Sequence, residues 1–467
     1  MRILLIGAPA FLRVYLPPLG LGYLASVARA RGHEVRILSL TNRPTPSLGG
    51  IERAVREFEP DVIGHTALSP SFNSSIRIMR ALRNVAPKAR LVLGGPHPTA
   101  LPEHTLQSTG ADHAIVGEGE VTWDEWLAAL ETGADTRDIA GLATRFGDEI
   151  HVGPKRDFVR DVNVFPEPAW DLLKPESYPQ APPQGLQLRT PATQFLTSRG
   201  CPCSCSYCAA NRTMSRTFRP RDTELVANEI ERLQRDHGIR ELMLLDLNFT
   251  FERNHARAFC ETLLRRGIDI AWKPLAGFRI DEIDEPILTL LRSAGCYQLI
   301  FGIESFHPET LKTIRKDLDA GVIHEKIRLA KRLGFFTASF FIIGSPGETE
   351  ERVNFTIREA SKSPLDFGAF FCWTPMPGAA DWAHLKNRIE PCEFRWESLN
   401  YDAAIYSDTL PHATLSKLVR KAHLRFYMKP RRWPKLMRLI RPRSFRYFAE
   451  FAVDYIRGTR GQLRLAE

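Results

Sequence analysis

The sequence has few cysteines and no long apolar run. Eight cysteines in 467 residues are too few for a disulfide-rich scaffold, and no stretch approaches the roughly 18 apolar residues of a transmembrane helix. At the N-terminus only Arg2 precedes a short apolar run, which is typical of a first core strand and not of a signal peptide. We therefore expect a cytoplasmic protein whose cysteines are thiols or metal ligands.

Acidic residues are scarce only near the C-terminus. Residues 421–467 hold thirteen Lys/Arg and three Asp/Glu, so the net charge of +9 lies there and the rest of the chain is nearly neutral. Within this tail, 435–441 has the pattern of a basic amphipathic helix with Trp433 beside it. The pattern favours peripheral contact with an anionic membrane, and equally an acidic substrate or a solvated helix. No nucleic-acid-binding module accompanies it, so we expect no nucleic-acid partner.

Short apolar runs alternate with helical patterns through the first 150 residues. The runs are 2–6, 35–40, 61–65, 91–93 and 113–116. This alternation predicts a flavodoxin-like (Rossmann-type), doubly wound α/β domain over 1–150, whose ligand lies beyond the carboxyl ends of the strands. Glycine-containing loops at those ends let a ligand approach the backbone, or serve as simple turns.

A second set of strands is expected after a proline-rich connector at 151–190. Its apolar runs are 194–197, 242–245, 268–271, 298–301, 337–343 and 367–372, with helical patterns between them. They predict a (β/α)6 partial TIM barrel over 191–390, with active residues at the carboxyl ends of the strands. A helical, basic region is expected over 391–467.

Four of the eight cysteines lie within eight residues, directly after the first strand of the barrel. They are Cys201, Cys203, Cys205 and Cys208. Clustered thiols in a reducing compartment indicate a metal. A structural zinc site needs a second pair of ligands, which the sequence lacks, whereas an iron–sulfur cluster can take thiolates from one loop. The C-x3-C-x2-C spacing of Cys201, Cys205 and Cys208 favours a four-iron cluster with one open iron.

This loop resembles the cluster motif of the radical S-adenosylmethionine (SAM) superfamily. The resemblance implies that Cys201, Cys205 and Cys208 hold a [4Fe–4S] cluster, that Cys203 is not a ligand, and that the open iron binds SAM. Segments at later strand ends, 245–249, 302–305 and 344–349, resemble SAM-contacting motifs of the family, although each alone also fits a turn or a helix cap. The implied SAM-binding residues are Tyr207, Asn248, Glu304, Ser305, Gly344, Pro346 and Gly347.

The first half resembles the cobalamin-binding domain that is fused to many radical SAM proteins. The similar segments are 17–24, 94–99 and 117–120, and with the barrel the resemblance covers about 1–390. The implied cobalamin contacts are Thr66, Ser69, Gly94, Gly95, His97, Gly117, Glu118 and Gly119. No D-x-H-x-x-G motif supplies a lower axial histidine. The domain therefore either leaves the lower face of the corrin without histidine or binds no corrin.

Together these resemblances imply a cobalamin-dependent radical SAM enzyme. We expect a methyltransferase acting on an unactivated carbon: a 5′-deoxyadenosyl radical from one SAM abstracts a substrate hydrogen, and methylcobalamin, formed with a second SAM, delivers the methyl group. The alternative is an oxidative cyclisation or rearrangement like that of anaerobic magnesium-protoporphyrin ester cyclases; a non-enzymatic cobalamin or metal sensor is a third hypothesis. We expect a small-molecule or lipid-like substrate and an external electron donor of the flavodoxin or ferredoxin type. The motifs single out no catalytic side chain.

Overall fold

The computed structural model describes residues 1–9, 15–42, 47–180, 187–386, 394–399 and 407–434. Seven strands form its N-terminal sheet. They are β1 (Arg2–Ile6), β2 (Glu34–Leu38), β3 (Val62–Thr66), β4 (Arg90–Gly94), β5 (His113–Ile115), β6 (Leu142–Phe146) and β7 (Glu149–Val152). Their order is β2–β1–β3–β4–β5–β6–β7, and the first five are parallel. The 2-1-3-4-5 order confirms the flavodoxin-like prediction.

The hairpin of β6 and β7 adds two antiparallel strands that the sequence pattern does not predict. Its outer strand β7 is largely exposed, so it carries no run of core residues. Helices cover both faces of the sheet. They are α1 (Leu19–Ala30), α2 (Leu48–Phe58), α3 (Phe72–Val85), α4 (Pro96–Ala100), α5 (Pro102–Thr109) and α6 (Glu120–Thr132).

Strand β1 shows how the sheet builds two cores. Leu4 and Ile6 pack with residues of α2 and α3, while Ile3 and Leu5 pack with residues of α1 and α6. Alternate side chains point to opposite faces, so a sheet covered on both sides needs a continuous apolar run in its central strands. The continuous apolar run in R-I-L-L-I, the sequence of β1, therefore indicates a buried parallel strand.

The second half is built on parallel strands. Its strands are β8 (Ala192–Phe195), β9 (Ser198–Arg199), β10 (Arg219–Pro220), β11 (Glu241–Leu244), β12 (Ala271–Pro274), β13 (Gln298–Glu304), β14 (Phe336–Ile343) and β15 (Phe367–Cys372). Two parallel sheets, β8–β11–β12 and β13–β14–β15, are joined by single parallel bridges at Trp272–Cys296 and Phe278–Phe301. Six parallel strands therefore follow one another in chain order, as expected for the partial barrel.

Helices follow the barrel strands, and several begin at side-chain caps. They are α8 (Ala210–Met214), α9 (Thr223–His237), α10 (Arg253–Arg265), α11 (Glu285–Ser293), α12 (Pro308–Thr313), α13 (Ile323–Arg332), α14 (Glu350–Lys362), α15 (Ala383–Lys386) and α16 (His412–Tyr427), with the short α7 (Trp170–Leu173) in the connector. Asp222, Asp284 and Thr349 accept backbone hydrogen bonds at the starts of α9, α11 and α14. Across the described ranges, each helix is too short or too polar to cross a bilayer. The basic segment 435–441 lies outside the described residues.

The two halves share one apolar core. Leu19 and Tyr23 of α1 pack in the same cluster as Leu196 and Leu244 of the barrel. Trp170 of the connector also joins that cluster, and its Nε1 donates to Glu229 of α9 at 2.8 Å. This packing places the carboxyl edge of the front sheet beside the mouth of the barrel.

Candidate active site

The cysteine-rich loop at 201–208 leaves β9 through Gly200. A Cβ on Gly200 would lie 1.9 Å from the Thr217 carbonyl oxygen, and its φ is +89°, so the turn requires glycine. Ser206 anchors the loop at two points: its N–H donates to the Ile314 carbonyl at 3.0 Å and its hydroxyl donates to Asp381 at 3.1 Å. The loop is therefore fixed by segments that follow β13 and β15.

All four cysteines of the loop are free, half-buried thiols. Burial raises the pKa of Cys205 and of Cys208, and the ammonium of Lys316 acts in the opposite direction. Cys203 differs from them. It accepts a hydrogen bond from the Cys201 thiol and lies near the Arg279 guanidinium, and these contacts lower the pKa of Cys203 to about 6.

The donor set fits an iron–sulfur cluster better than a single metal ion. Among the described residues, no three His, Cys, Asp or Glu side chains converge closely enough to share one ion. A four-iron cluster needs no such point, because each thiolate binds a different iron. Lys316 and Arg279 place positive charge beside the loop, which stabilises thiolates. The choice of Cys201, Cys205 and Cys208 as the three ligands stays a prediction.

A buried carboxylate lies beside the cysteine loop at the end of β13. Glu304 follows a bulge in this strand and has a φ of +64°, which is a strained conformation for a residue with a side chain. Its Oε1 accepts hydrogen bonds from Tyr207 Oη at 3.0 Å and from Lys316 Nζ at 3.4 Å. The structure thus brings two predicted SAM-binding residues into contact. It adds Lys316, which no sequence motif marks.

Asn248 presents a buried acceptor after β11. Its Nδ2 donates to Glu282 Oε1 at 3.1 Å, whereas its Oδ1 is buried and has no partner in the described part of the chain. Ser345 Oγ, after β14, is also buried without such a partner. Buried polar atoms are normally hydrogen-bonded, so both atoms fit a site for a polar ligand such as SAM. Ser345 lies between predicted contacts but was not itself marked by the motif.

The remaining predicted SAM contacts occupy different environments. Pro346 is half-buried, and the exposed Gly347 donates its N–H to Asp408 Oδ1 at 3.1 Å. Ser305 is fully buried, and its Oγ lies 2.8 Å from Thr356 Oγ1 of α14. The Ser305 hydroxyl therefore ties β13 to a neighbouring helix.

Glu348 holds the glycine-containing loop after β14. Its Oε2 accepts hydrogen bonds from the N–H groups of Gly344 at 2.7 Å and Ser345 at 3.2 Å, and Thr310 donates to its Oε1 at 3.2 Å. Burial raises the pKa of Glu348 to about 7, although both backbone donors favour the carboxylate. The loop conformation thus depends on a carboxyl group that titrates near neutral pH.

We expect Glu348→Gln to remove one contribution to the pH dependence of the free energy of unfolding. The folded protein keeps the Glu348 proton up to about pH 7, whereas the unfolded chain releases it near pH 4.5. This group therefore stabilises the fold fully below pH 4.5, and the contribution of about 3 kcal/mol is lost as the pH rises to 7. Urea unfolding at several pH values should show a smaller fall in the free energy of unfolding for the variant. Parallel curves for both proteins would contradict this expectation.

A cavity of about 320 Å³ lies between the front sheet and the barrel. Its wall includes six predicted cobalamin contacts: Thr66, Gly94, Gly95, Gly117, Glu118 and Gly119. The core residues Leu5, Val92, Ile115 and Trp123 line its apolar side, and Leu196, Met214 and Leu245 line it from the barrel. A Cβ on Gly94 or Gly117 would meet no neighbour within 4 Å, so the backbone there is open to a large ligand. The apolar wall and the open glycine backbone fit one side of a large cofactor such as cobalamin, of which the cavity would enclose a part.

Ser69 and His97 are not among the described residues that line this cavity. Both are buried, and His97 Nδ1 lies 3.0 Å from Ser69 Oγ. The His97 ring stacks on Phe72 with centroids 3.7 Å apart, and its Nε2 lies 3.3 Å from His104 Nδ1. Burial lowers the pKa of His97, so the ring is neutral. These contacts pack Ser69 and His97 against neighbouring side chains of the front domain, and their contact with the corrin stays a prediction.

His65 does line the cavity, but both of its ring nitrogens are occupied. Nδ1 lies 3.2 Å from the Ile6 carbonyl oxygen and Nε2 lies 3.0 Å from Ser75 Oγ. Burial lowers the pKa of His65 to about 4. Neither nitrogen is available to a cobalt ion, in agreement with the missing D-x-H-x-x-G motif.

Two arginines of the barrel bind the glutamates of the 117–120 loop. Arg219 donates two hydrogen bonds to Glu118, at 2.7 and 2.9 Å, and Arg199 donates one to Glu120 at 2.7 Å. All four side chains are at least nine-tenths buried. Glu118 therefore borders the cavity while its carboxylate joins the two domains. We refer to these four residues as the interdomain clamp.

Comparison with known proteins identifies both halves. Residues 10–127 match the B12 binding domain family, and residues 195–360 match the radical SAM superfamily. An uncharacterized methyltransferase of Pyrococcus horikoshii is 31% identical over 89% of this chain and 88% of its own length. The chain belongs to the cobalamin-dependent radical SAM enzyme family.

Two further comparisons set this radical SAM enzyme among its relatives. The anaerobic magnesium-protoporphyrin IX monomethyl ester cyclase of Cereibacter sphaeroides is 29% identical over 88% of this chain and 67% of its own length. The structure of TsrM, a radical SAM methyltransferase from Kitasatospora setae with cobalamin and a [4Fe–4S] cluster bound, superposes with a TM-score of 0.67. That alignment has 20% identity and covers 81% of this chain and 76% of TsrM, so it shows a shared fold.

Family membership confirms that the first half resembles a cobalamin-binding domain and that the second half resembles the radical SAM superfamily. The cofactors of this radical SAM enzyme are a [4Fe–4S] cluster, SAM and cobalamin. Because the radical SAM reaction starts with an electron transfer, the enzyme also requires a reductant.

Proposed function

We propose that this enzyme is a methyltransferase that acts on an unactivated carbon of a small-molecule or lipid-like substrate. The observation that carries the proposal is the 31% identity, over most of both chains, with the Pyrococcus horikoshii protein, which is named a methyltransferase. When bound, the cluster supplies the electron that cleaves SAM, and cobalamin supplies the methyl group. The protein's own contribution is to hold and orient these groups.

The barrel residues hold the cluster and SAM. Cys201, Cys205 and Cys208 are the proposed cluster ligands. Glu304 offers a carboxylate to the ribose or amino group of SAM, and its bonds to Tyr207 and Lys316 fix the direction of that carboxylate. Asn248 Oδ1 would accept a hydrogen bond from a SAM donor, and the backbone of Gly344, Pro346 and Gly347 would border the adenosyl group.

The front domain holds the corrin. Thr66, Gly94, Gly95, Gly117 and Gly119 form the proposed contact surface. The interdomain clamp holds this surface against the barrel.

We further propose that the reductant is an external protein of the flavodoxin or ferredoxin type. Cys260, Cys296 and Cys372 are each buried and lie outside the cysteine loop. The described residues thus offer one cysteine loop and no second cluster site that could store an electron.

The test is product analysis with SAM that carries a trideuterated methyl group. The reconstituted holoenzyme is incubated without oxygen, with a reductant and with small-molecule and lipid extracts. A product that carries the labelled methyl group, and that Cys205→Ala fails to form, supports a methyltransferase. The proposal would be contradicted if 5′-deoxyadenosine forms and the substrate loses hydrogen without gaining the labelled methyl group. That result would favour the second candidate, an oxidative cyclase, which the 29% identity to the Cereibacter protein supports.

A further inference from the structure

Helix α16 has one face that is exposed to solvent. Its buried face, which contains Leu415, Leu418, Ala422 and Phe426, packs into the barrel core. The opposite face consists of Lys417, Arg420, Lys421, Leu424, Arg425 and Met428, all exposed. Residues spaced by three and four positions share one side of a helix, so these six form a continuous surface, which we call the α16 face.

In the part of the chain that the structure describes, no ion pair neutralises the positive charge of the α16 face. Residues 409–449 contain twelve Lys/Arg and no Asp or Glu. Lys421 donates to the neutral Asn354 amide at 2.7 Å. Lys417, Arg420 and Arg425 form no ion pair with any residue in the described ranges. The surface therefore attracts an anionic partner.

Large apolar side chains stand among these cations. Leu424 is 53% exposed and Met428 is 71% exposed, and Trp433, just beyond the helix, is 55% exposed. A nucleic-acid backbone or a soluble anion gains little from an exposed Leu and Met. The interface of a lipid bilayer buries such side chains while its headgroups bind the flanking cations. We propose that the α16 face binds the surface of an anionic membrane.

The position of the face distinguishes this role from docking of the reductant. Near the C-terminal end of α16, Tyr427 Oη donates to the Gly368 carbonyl at 2.9 Å, at the amino end of β15. The cysteine loop lies at the opposite, carboxyl end of the strands. A six-residue strand spans roughly 20 Å, so an electron donor on this part of α16 would face the wrong end of the barrel.

The experiment is co-sedimentation of the full-length holoenzyme with lipid vesicles at low salt. One set of vesicles contains phosphatidylcholine alone and the other adds phosphatidylglycerol. The charge variant is Lys417→Glu/Arg420→Glu/Lys421→Glu, and the apolar variant is Leu424→Ser/Met428→Ser. A matched control, Arg53→Glu/Arg77→Glu/Arg80→Glu, makes the same change in charge at exposed positions of α2 and α3.

We expect binding to the anionic vesicles only. The charge variant should bind at least about tenfold more weakly, the apolar variant should also bind more weakly, and the control should bind like the wild type. Cofactor content and circular dichroism establish that each variant is folded. Equal binding to both kinds of vesicle, an equal loss in the control, or wild-type binding by the charge variant would each overturn the proposal. Wild-type binding by the charge variant would show that another part of the chain binds the membrane.

Discussion

Replacing Cys205 with alanine is expected to leave a folded protein without its [4Fe–4S] cluster and without SAM cleavage. Cys201→Ala and Cys208→Ala should do the same, because a cluster that keeps one iron open depends on all three thiolates. Cys203→Ala is the matched control. Cys203 is also half-buried in the same loop, but it accepts a hydrogen bond from the Cys201 thiol and lies 3.7 Å from Arg279 Nη1.

Iron content, visible absorption and release of 5′-deoxyadenosine measure this prediction after anaerobic reconstitution. The three ligand variants should fall to background in all three assays, and Cys203→Ala should retain about four irons per chain. Loss of the cluster in Cys203→Ala, with retention in one of the others, would place Cys203 in the ligand set. The C-x3-C-x2-C assignment would then be wrong.

Glu118→Gln is expected to destabilise the protein by about 3–5 kcal/mol. The change leaves the Arg219 side chain, which is 3% exposed, without the carboxylate that pairs with both of its terminal nitrogens. Breaking a buried ion pair by removing one partner leaves an uncompensated charge, and that penalty exceeds the loss of the bond itself. The same change should weaken cobalamin retention, since Glu118 and its neighbouring glycines line the cavity.

Urea unfolding and the cobalt content after desalting measure both effects. Glu125→Gln is the control. Glu125 also pairs with an arginine, Arg156, but it is 45% exposed, so its replacement should cost less than about 1 kcal/mol. If the two variants lost the same small amount of stability, the prediction that the buried interdomain clamp stabilises the protein more than an exposed ion pair would be wrong.

Much of the fold is predictable because local signals agree with tertiary packing. The helical pattern over 223–237 predicts helix α9 at its observed bounds, because Asp222 caps its start and Gly238 adopts a φ of +62° at its end. Strand β12 shows the opposite case. The apolar run predicts a strand over 268–271, but the strand is Ala271–Pro274. Lys273 lies fully buried in it, 3.5 Å from Glu241, and a buried ion pair has no apolar pattern.

The same distinction between local and long-range signals applies to the residues of the candidate active site. The spacing of the cysteines and the short motifs near Glu304 and Gly344 are local, so the sequence shows them. Lys316 and the pair of Glu118 with Arg219 are long-range partners, 101 positions apart in the second case, and no local pattern joins them. The packing of His97 is likewise not visible in the local sequence: its side chain lies in a cluster with Phe72 and His104.

We expect one chain to hold a [4Fe–4S] cluster that binds SAM and, in its front domain, cobalamin. Electron paramagnetic resonance of the protein tests this expectation most directly, after anaerobic reconstitution with iron, sulfide and hydroxocobalamin and then desalting. We predict a bound cob(II)alamin signal without a histidine ligand, together with a reduced [4Fe–4S] signal that shifts when SAM is added. A cluster signal that responds to SAM, with no cobalt retained, would contradict the proposed role of the front domain.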